Sequence, residues 1–201
     1  STAAAVTAAS TAMFAVPTKF EHPTRVQLLG GASAADWQFS RWRSVTDAIR
    51  GGGSSASLRP HPAGAQFSGN LDPSKLGAGF AGMAVPVGAL PEPLSRFDGL
   101  CVDIVACDEF EYSIVLKMRG APSGASHQFK FQLADGSVDM PFDRFAPVLR
   151  GRATAGPPLD LAQVESLAVQ ISSNFTWQAG EFSLVLRDIA GLVRSSPAAG
   201  S

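Results

Sequence analysis

Histidine, cysteine, serine and paired carboxylates are the side chains with which proteins most often hold metals, attack carbonyls or move protons. Here they are few and scattered. His22, His61 and His127 are the only histidines, and no His-x-x-x-His or Cys-x-x-Cys spacing supports a transition-metal site. A distant Ser-His-Asp arrangement stays open, but the nucleophile elbow Gly-x-Ser-x-Gly is absent. Gly120-Ala121-Pro122-Ser123-Gly124 places its serine one position late, inside a loop. Gly51-Gly52-Gly53-Ser54-Ser55 invites comparison with a phosphate-cradling loop. It lacks the Gly-Lys-Ser/Thr ending, and Leu58-Arg59-Pro60-His61-Pro62 forbids a following helix. Its amides could form an anion nest; a tight connection between strands is the expected role.

The acidic candidates are Asp98 and Asp103, Asp108 with Glu109 and Glu111, and Asp139 with Asp143. Glycoside hydrolysis needs two carboxylates facing one another across a cleft, one with a raised pKa. Asp98 before Gly99 reads instead as a turn former, and Asp139 and Asp143 flank the bend at Pro141. Arg150-Gly151-Arg152 could clamp an anion through two guanidinium forks; ion pairs with Asp47 or Asp143 are the expectation. Trp37, Trp42 and Trp177 could form a sugar-stacking platform, and core anchors of a sandwich are expected instead. Cys101 and Cys107 lie in one extended run, six residues and roughly 20 Å apart, against a disulfide Cα separation of about 5.5 Å. Two free thiols are expected. Asn174-Phe175-Thr176 matches the glycosylation sequon but lies between apolar strands, and is read as a chance match. No catalytic residue, metal or cofactor is predicted.

The elements that must position these residues are short. The chain has 201 residues, with 16 Lys plus Arg against 17 Asp plus Glu, and only 16% charged residues. One domain with a real core fits this length. The missing basic excess argues against nucleic acid, and the sparse charge predicts a surface partly covered by partners. No apolar stretch approaches the roughly 20 residues of a membrane span. Twenty Gly and fourteen Pro favour many turns and short strands. Alternation or strong apolarity predicts strands at 37–42, 65–70, 79–85, 100–106, 112–118, 128–133, 138–142, 167–171 and 182–189, with Arg50 to Ser57 a loop. Short helical turns are predicted at Phe142–Phe145 and Leu161–Glu165. Many strands without long helices predict an all-β two-sheet sandwich.

The first 18 residues carry no charge. Residues 1–35 are read as an extended low-charge arm, 36–191 as the sandwich and 192–201 as a flexible tail. Met13, Phe14, Val16 and Phe20 are the arm's apolar anchors for a partner. Truncating residues 1–27 is expected to weaken association without unfolding the sandwich.

From Trp37 to Ile189 the motifs resemble, in order, the complex I intermediate-associated protein 30 (CIA30) domain. Trp42, then Thr46-Asp47 through Gly51, Gly52 and Ser54, is similar to that family's Trp, paired acids, Gly-Gly and Ser. Phe67, Gly69, Gly79 and Phe80 follow, then Asp98-Gly99, then Pro141-Phe142, Phe145, Pro147 and Arg150-Gly151-Arg152. Gly180 to Leu184 and Ile189 resemble its closing strand. Thr46 replaces the first acid, so only Asp47 could retain a role of that pair, and Ala78 replaces one glycine.

The resemblance implies a galactose-binding-like jelly roll and a non-enzymatic role; the N-terminal arm lies outside it. Relatives assist assembly of respiratory complex I in mitochondria, or of photosynthetic complexes in chloroplasts. Protein subunits of a large complex are therefore the expected partners, associated with a membrane-embedded assembly and located in either organelle. A jelly-roll carbohydrate-binding module is the alternative.

Overall fold

The computed structural model describes residues 23–31, 33–132, 136–175 and 177–194. Its strands are β1 (Thr24–Gly30), β2 (Arg43–Thr46), β3 (Ser55–His61), β4 (Gly64–Leu71), β5 (Phe80–Pro86), β6 (Gly99–Cys107), β7 (Tyr112–Met118), β8 (Ala125–Phe131), β9 (Gly136–Pro141), β10 (Ala146–Leu149), β11 (Arg152–Ala153), β12 (Val164–Ser172) and β13 (Gly180–Val193). Single 3-10 turns are the only helical pieces among the described residues.

The strands form two antiparallel sheets facing each other as a jelly-roll sandwich. One runs β3-β4-β13-β6-β9, with β1 also on β13; the other runs β11-β10-β8-β7-β12-β5-β2. The long β13 organises the first sheet. Its Gly180–Leu186 half pairs with β4, its Asp188–Val193 half pairs with β1, and β6 lies along its other side. Period-two alternation selects the buried face. Tyr112, Ile114 and Leu116 of β7 and Leu167, Val169 and Ile171 of β12 enter the core, where they meet Phe67, Phe182 and Leu184 from the opposite sheet. Phe67, Tyr112 and Phe182 pack ring on ring at centroid distances of 5.0–6.3 Å.

The structure corrects several expectations. Residues Thr24–Gly30, read as arm, form a strand on β13 with Leu28 and Leu29 buried. Turn-rich sequence concealed it, because only its last three residues are fully buried. Trp37–Trp42 is not a strand. Turns at Ala34–Trp37 and Phe39–Arg41 flank Gln38, whose φ of 49° breaks the extended path. The Trp42 indole N–H donates to the Trp37 carbonyl at 2.8 Å, a closure that five extended residues cannot make. Both indoles are buried, so local alternation hid two tandem turns. The expected loop Arg50–Ser57 gives way to β3 at Ser55.

The other strand expectations hold, with boundaries moved by up to four residues. The turns at Phe142–Arg144 and Leu161–Gln163 are present. Cys101 and Cys107 are not joined in a disulfide. Met13, Phe14, Val16, Phe20 and the 195–201 part of the tail lie outside the described residues.

Leu29 is 1% exposed, so Leu29→Ala is expected to cost about 2–5 kcal/mol in a urea melt. A truncation intended to leave the sandwich intact must therefore stop before Thr24.

Two core groups set an alkaline limit. Burial, above all, pushes the Cys101 thiol up to about 12. Burial also raises the Tyr112 phenol, assisted by the Asp108 carboxylate, which accepts its O–H at 2.8–2.9 Å. In the unfolded chain these protons leave near pH 8.5 and 10. Stability is thus fully present below about pH 8.5 and falls as pH rises through and beyond that range. Denaturant melts from pH 7 to 11 should show Tyr112→Phe flattening the limb above about pH 10, whatever its stability at pH 7.

Candidate functional site

At the β2 end of the seven-stranded sheet the chain must pass from β2 to β3 in a short distance. Thr46 caps the 3-10 turn Asp47–Arg50 by accepting the Ala48 N–H at 3.3 Å. The turn ends at Gly51, whose φ of 85° favours glycine.

The following Gly-Gly-Ser wraps the Asp47 carboxylate. Ser54 donates its N–H to Oδ1 at 3.0 Å and its hydroxyl to Oδ2 at 2.8 Å, and Phe80 N–H also donates to Oδ2 at 3.3 Å. Asp72 N–H completes the Ser54 hydroxyl at 3.0 Å. A Cβ at Gly52 would lie 2.3 Å from this carboxylate, and one at Gly79 would lie 2.9 Å from both Asp47 Oδ2 and Ser54 Oγ. Asp47 is 1% exposed. The glycine-rich loop thus surrounds an anion belonging to the chain itself.

This knot continues along the sheet end. Gly79 N–H donates to the Ser173 hydroxyl at 2.9 Å, and Ser173 N–H returns to the Gly79 carbonyl at 2.8 Å. Gln178 closes the β12–β13 connection. Its amide donates to the carbonyls of Ser172 and Glu111 at 2.7 and 2.9 Å, and its carbonyl accepts Glu111 N–H at 3.0 Å. Between these clamps Asn174 and Phe175 have φ of 48° and 62°. Such a conformation costs a phenylalanine on the order of 1–3 kcal/mol. The Asn174 side chain bonds Glu111 and Lys130, which themselves pair at 2.8 Å. Phe175 and Trp177 are left 52% and 67% exposed. The Phe175 ring lies 5.0 Å from the Arg152 guanidinium on β11. Since β11 is four strands from β12, the loop leans along the sheet.

The other singled-out residues lie elsewhere. Arg150 and Gly151, with φ of 51° and 80°, are the two central residues of the β10–β11 hairpin, the geometry of a type I′ turn. The expected ion pairs are not made: Ser54 and Phe80 surround Asp47, and Asp143 faces Arg194 at 4.0 Å. Asp98 accepts Arg194 N–H at 2.8 Å beside Gly99, where a Cβ would meet the Met140 carbonyl at 2.6 Å. Gly69 likewise leaves room for the Ser55 carbonyl, Phe67 is core, and Phe80 lies under Arg50 at 5.6 Å. Trp177 is not a core anchor, because it stands in a connection outside the pleat that buries alternate side chains. Sequence reasoning missed Phe175, Lys130 and Gln178. The one available signal was two aromatics closely followed by an amide within an otherwise turn-forming stretch.

The family model for complex I intermediate-associated protein 30 (CIA30) matches residues 29–186. The chain belongs to the CIA30 family. An uncharacterized protein of Schizosaccharomyces pombe is 30% identical over 180 residues, covering 81% of this chain and 82% of the relative. Among solved structures, the family 11 carbohydrate-binding module of cellulase Lic26A-Cel5E from Clostridium thermocellum aligns with TM-score 0.53 at 17% identity. That alignment covers 89% of this chain and 98% of the module, and shows a shared fold. A family 11 module from the same organism in complex with a β-1,3-1,4-mixed-linked tetrasaccharide aligns with TM-score 0.48 at 18% identity, over 77% of this chain and 89% of that one. In this CIA30 chain the motif residues Asp47, Gly52, Ser54, Gly79 and Phe80 meet in one knot, whereas Asp98-Gly99 and Arg150-Gly151-Arg152 mark separate corners.

Asp47→Ala would strand buried donors of Ser54 and Phe80, at a cost of about 3 kcal/mol. A thermal melt should fall by about 10 °C, whereas Arg150→Ala in the exposed hairpin should move it little.

Proposed function

We propose that this CIA30 chain is a non-enzymatic protein-binding scaffold or assembly factor of a large bioenergetic complex, either respiratory complex I or a photosynthetic assembly, in mitochondrion or chloroplast. Family membership supports the kind of complex. The observation that carries the binding role is Ile49, which is 90% exposed on a turn whose base is the Asp47 knot. A solvated isoleucine gains free energy when a partner covers it, about 1.5–3 kcal/mol for full burial, and a rigid turn adds little ordering cost.

Val45 and Leu76, 42% and 46% exposed, extend the apolar character of this corner. Leu76 follows Asp72, whose carboxylate occupies the place a Cβ on Gly53 would take, and Val45 stands on β2 just before the turn. Aliphatic side chains without a planar ring suit a protein surface. The low-charge arm, with Met13, Phe14, Val16 and Phe20, supplies a second contact in this reading.

Ile49→Asp should reduce recovery of partner subunits in pull-down by about tenfold or more, equivalent to at least about 1.4 kcal/mol, with the melting temperature unchanged. Undiminished recovery would remove the Ile49 corner from the interface. Deleting residues 1–22, which leaves β1 whole, tests the arm by the same measurement.

A further inference from the structure

A different surface lies beside the aromatic loop. On the outer face of the seven-stranded sheet, the register aligns Lys130, Ser113, Gln170, Gly82 and Val45 in one row across β8, β7, β12, β5 and β2. The adjacent row is Gln128, Val115, Ala168, Ala84 and Arg43. Small side chains in the middle strands and long polar ones around them make a shallow trough.

Three polar groups in it have unused hydrogen-bonding capacity among the described residues. Ser113 is only 5% exposed, yet its hydroxyl has no protein partner, and its register position aims it into the trough between Lys130 and Gln170. Gln128 and Gln170 each donate their amide N–H to a neighbouring serine, at 3.0 and 3.1 Å. Their carbonyl oxygens remain open as acceptors. The two amides stand two strands and one row apart, about 12 Å between backbones. The lysines of this face are already neutralised, Lys130 by Glu111 at 2.8 Å and Lys117 by Glu165 at 2.9 Å. At the end of the trough the clamped loop holds the exposed Phe175 and Trp177.

We propose that this trough binds a neutral saccharide chain. Open amide carbonyls and an unpartnered hydroxyl match the hydroxyl groups of a polyol, while an exposed indole stacks on the apolar face of a sugar ring. With both lysines paired and the remaining cation, Arg43, at the far β2 edge, the middle of the trough favours a neutral ligand over an anionic one. A peptide lacks the dense array of hydroxyls that these acceptors fit. The site meets the Ile49 corner only at Val45 on its edge and uses neither Ile49 nor the N-terminal arm, so the Ile49 and arm variants test the assembly role separately.

The test is affinity electrophoresis of the whole chain through gels containing a soluble β-glucan, a galactomannan or amylose, with polygalacturonate as the anionic comparison. The expected result is retardation by at least one neutral polymer and none by polygalacturonate. Trp177→Ala and the double variant Gln128→Ala/Gln170→Ala should each weaken that retardation at least tenfold, with unchanged melting temperature. Ser113→Ala should weaken it severalfold, and Arg59→Ala on β3 should leave it intact. Retardation that survives both the Trp177 and the double variant would place the site elsewhere and overturn the proposal. So would retardation by polygalacturonate alone. Absence of retardation by every neutral polymer, including a case where Trp177→Ala instead releases a protein partner, would overturn it too.

Discussion

A buried carboxylate that has no cationic partner among the described residues governs one end of this sandwich. Removing the Asp47 charge from water is costly, and only hydrogen bonds that reach both oxygens offset the cost. Ser54 and Phe80 supply them. Meeting that requirement fixes the path from β2 to β3 and the start of β5 together. Glycines at 52 and 79 follow from it, because any side chain there would collide with the carboxylate or the Ser54 hydroxyl. The motif is therefore internal architecture. Its outward product is a stiff turn with Ile49 in solvent.

The same constraint propagates laterally. Gly79 is held by the carboxylate on one side and by Ser173 on the other, and Ser173 begins the segment that Gln178 closes. Two loops separated by more than a hundred residues thus share one polar seam along the sheet end. A polar seam of this kind ties its neighbours in geometry as well as in energy, because leaving any member unpaired is penalised. Loops that carry exposed apolar groups would otherwise collapse onto the sheet or lose order. Here Phe175 keeps an unfavourable backbone conformation while its ring remains half exposed. Strain held on a rigid frame is a recurrent mark of recognition surfaces.

The two surfaces differ in chemistry, so the two proposed roles call for different partners. The Ile49 corner is aliphatic and convex, suited to another protein's apolar patch. The sheet face is polar and shallow, its lysines paired with acids, and bordered by aromatic rings. A scaffold that joins proteins and a module that grips a polymer can share one fold, since the sandwich supplies rigidity and the residues on its surface supply recognition.

Much of the β architecture was legible in the sequence, because burial on one face of a strand leaves a period of two in residues such as Leu167, Val169 and Ile171. The family was legible from Asp47, the glycines and Arg150-Gly151-Arg152, since steric and turn requirements restrict what those positions tolerate. Trp37–Trp42 misled, because two tandem turns can mimic that period over six residues, and the hydrogen bond that distinguishes them is not written in spacing. β1 was concealed among turn-forming neighbours, its pairing decided by the distant β13. Whether an aromatic is core or surface depends on what the chain packs against it: Trp37 and Trp177 are the same residue type in similarly mixed surroundings, yet one is enclosed and the other solvated. Local sequence set the strands and the tight turns through backbone sterics and side-chain alternation. Only tertiary folding could join Asp47 to Phe80, Glu111 to Gln178 and Ser113 to Gln170, because those meetings depend on strand order, which no local pattern encodes.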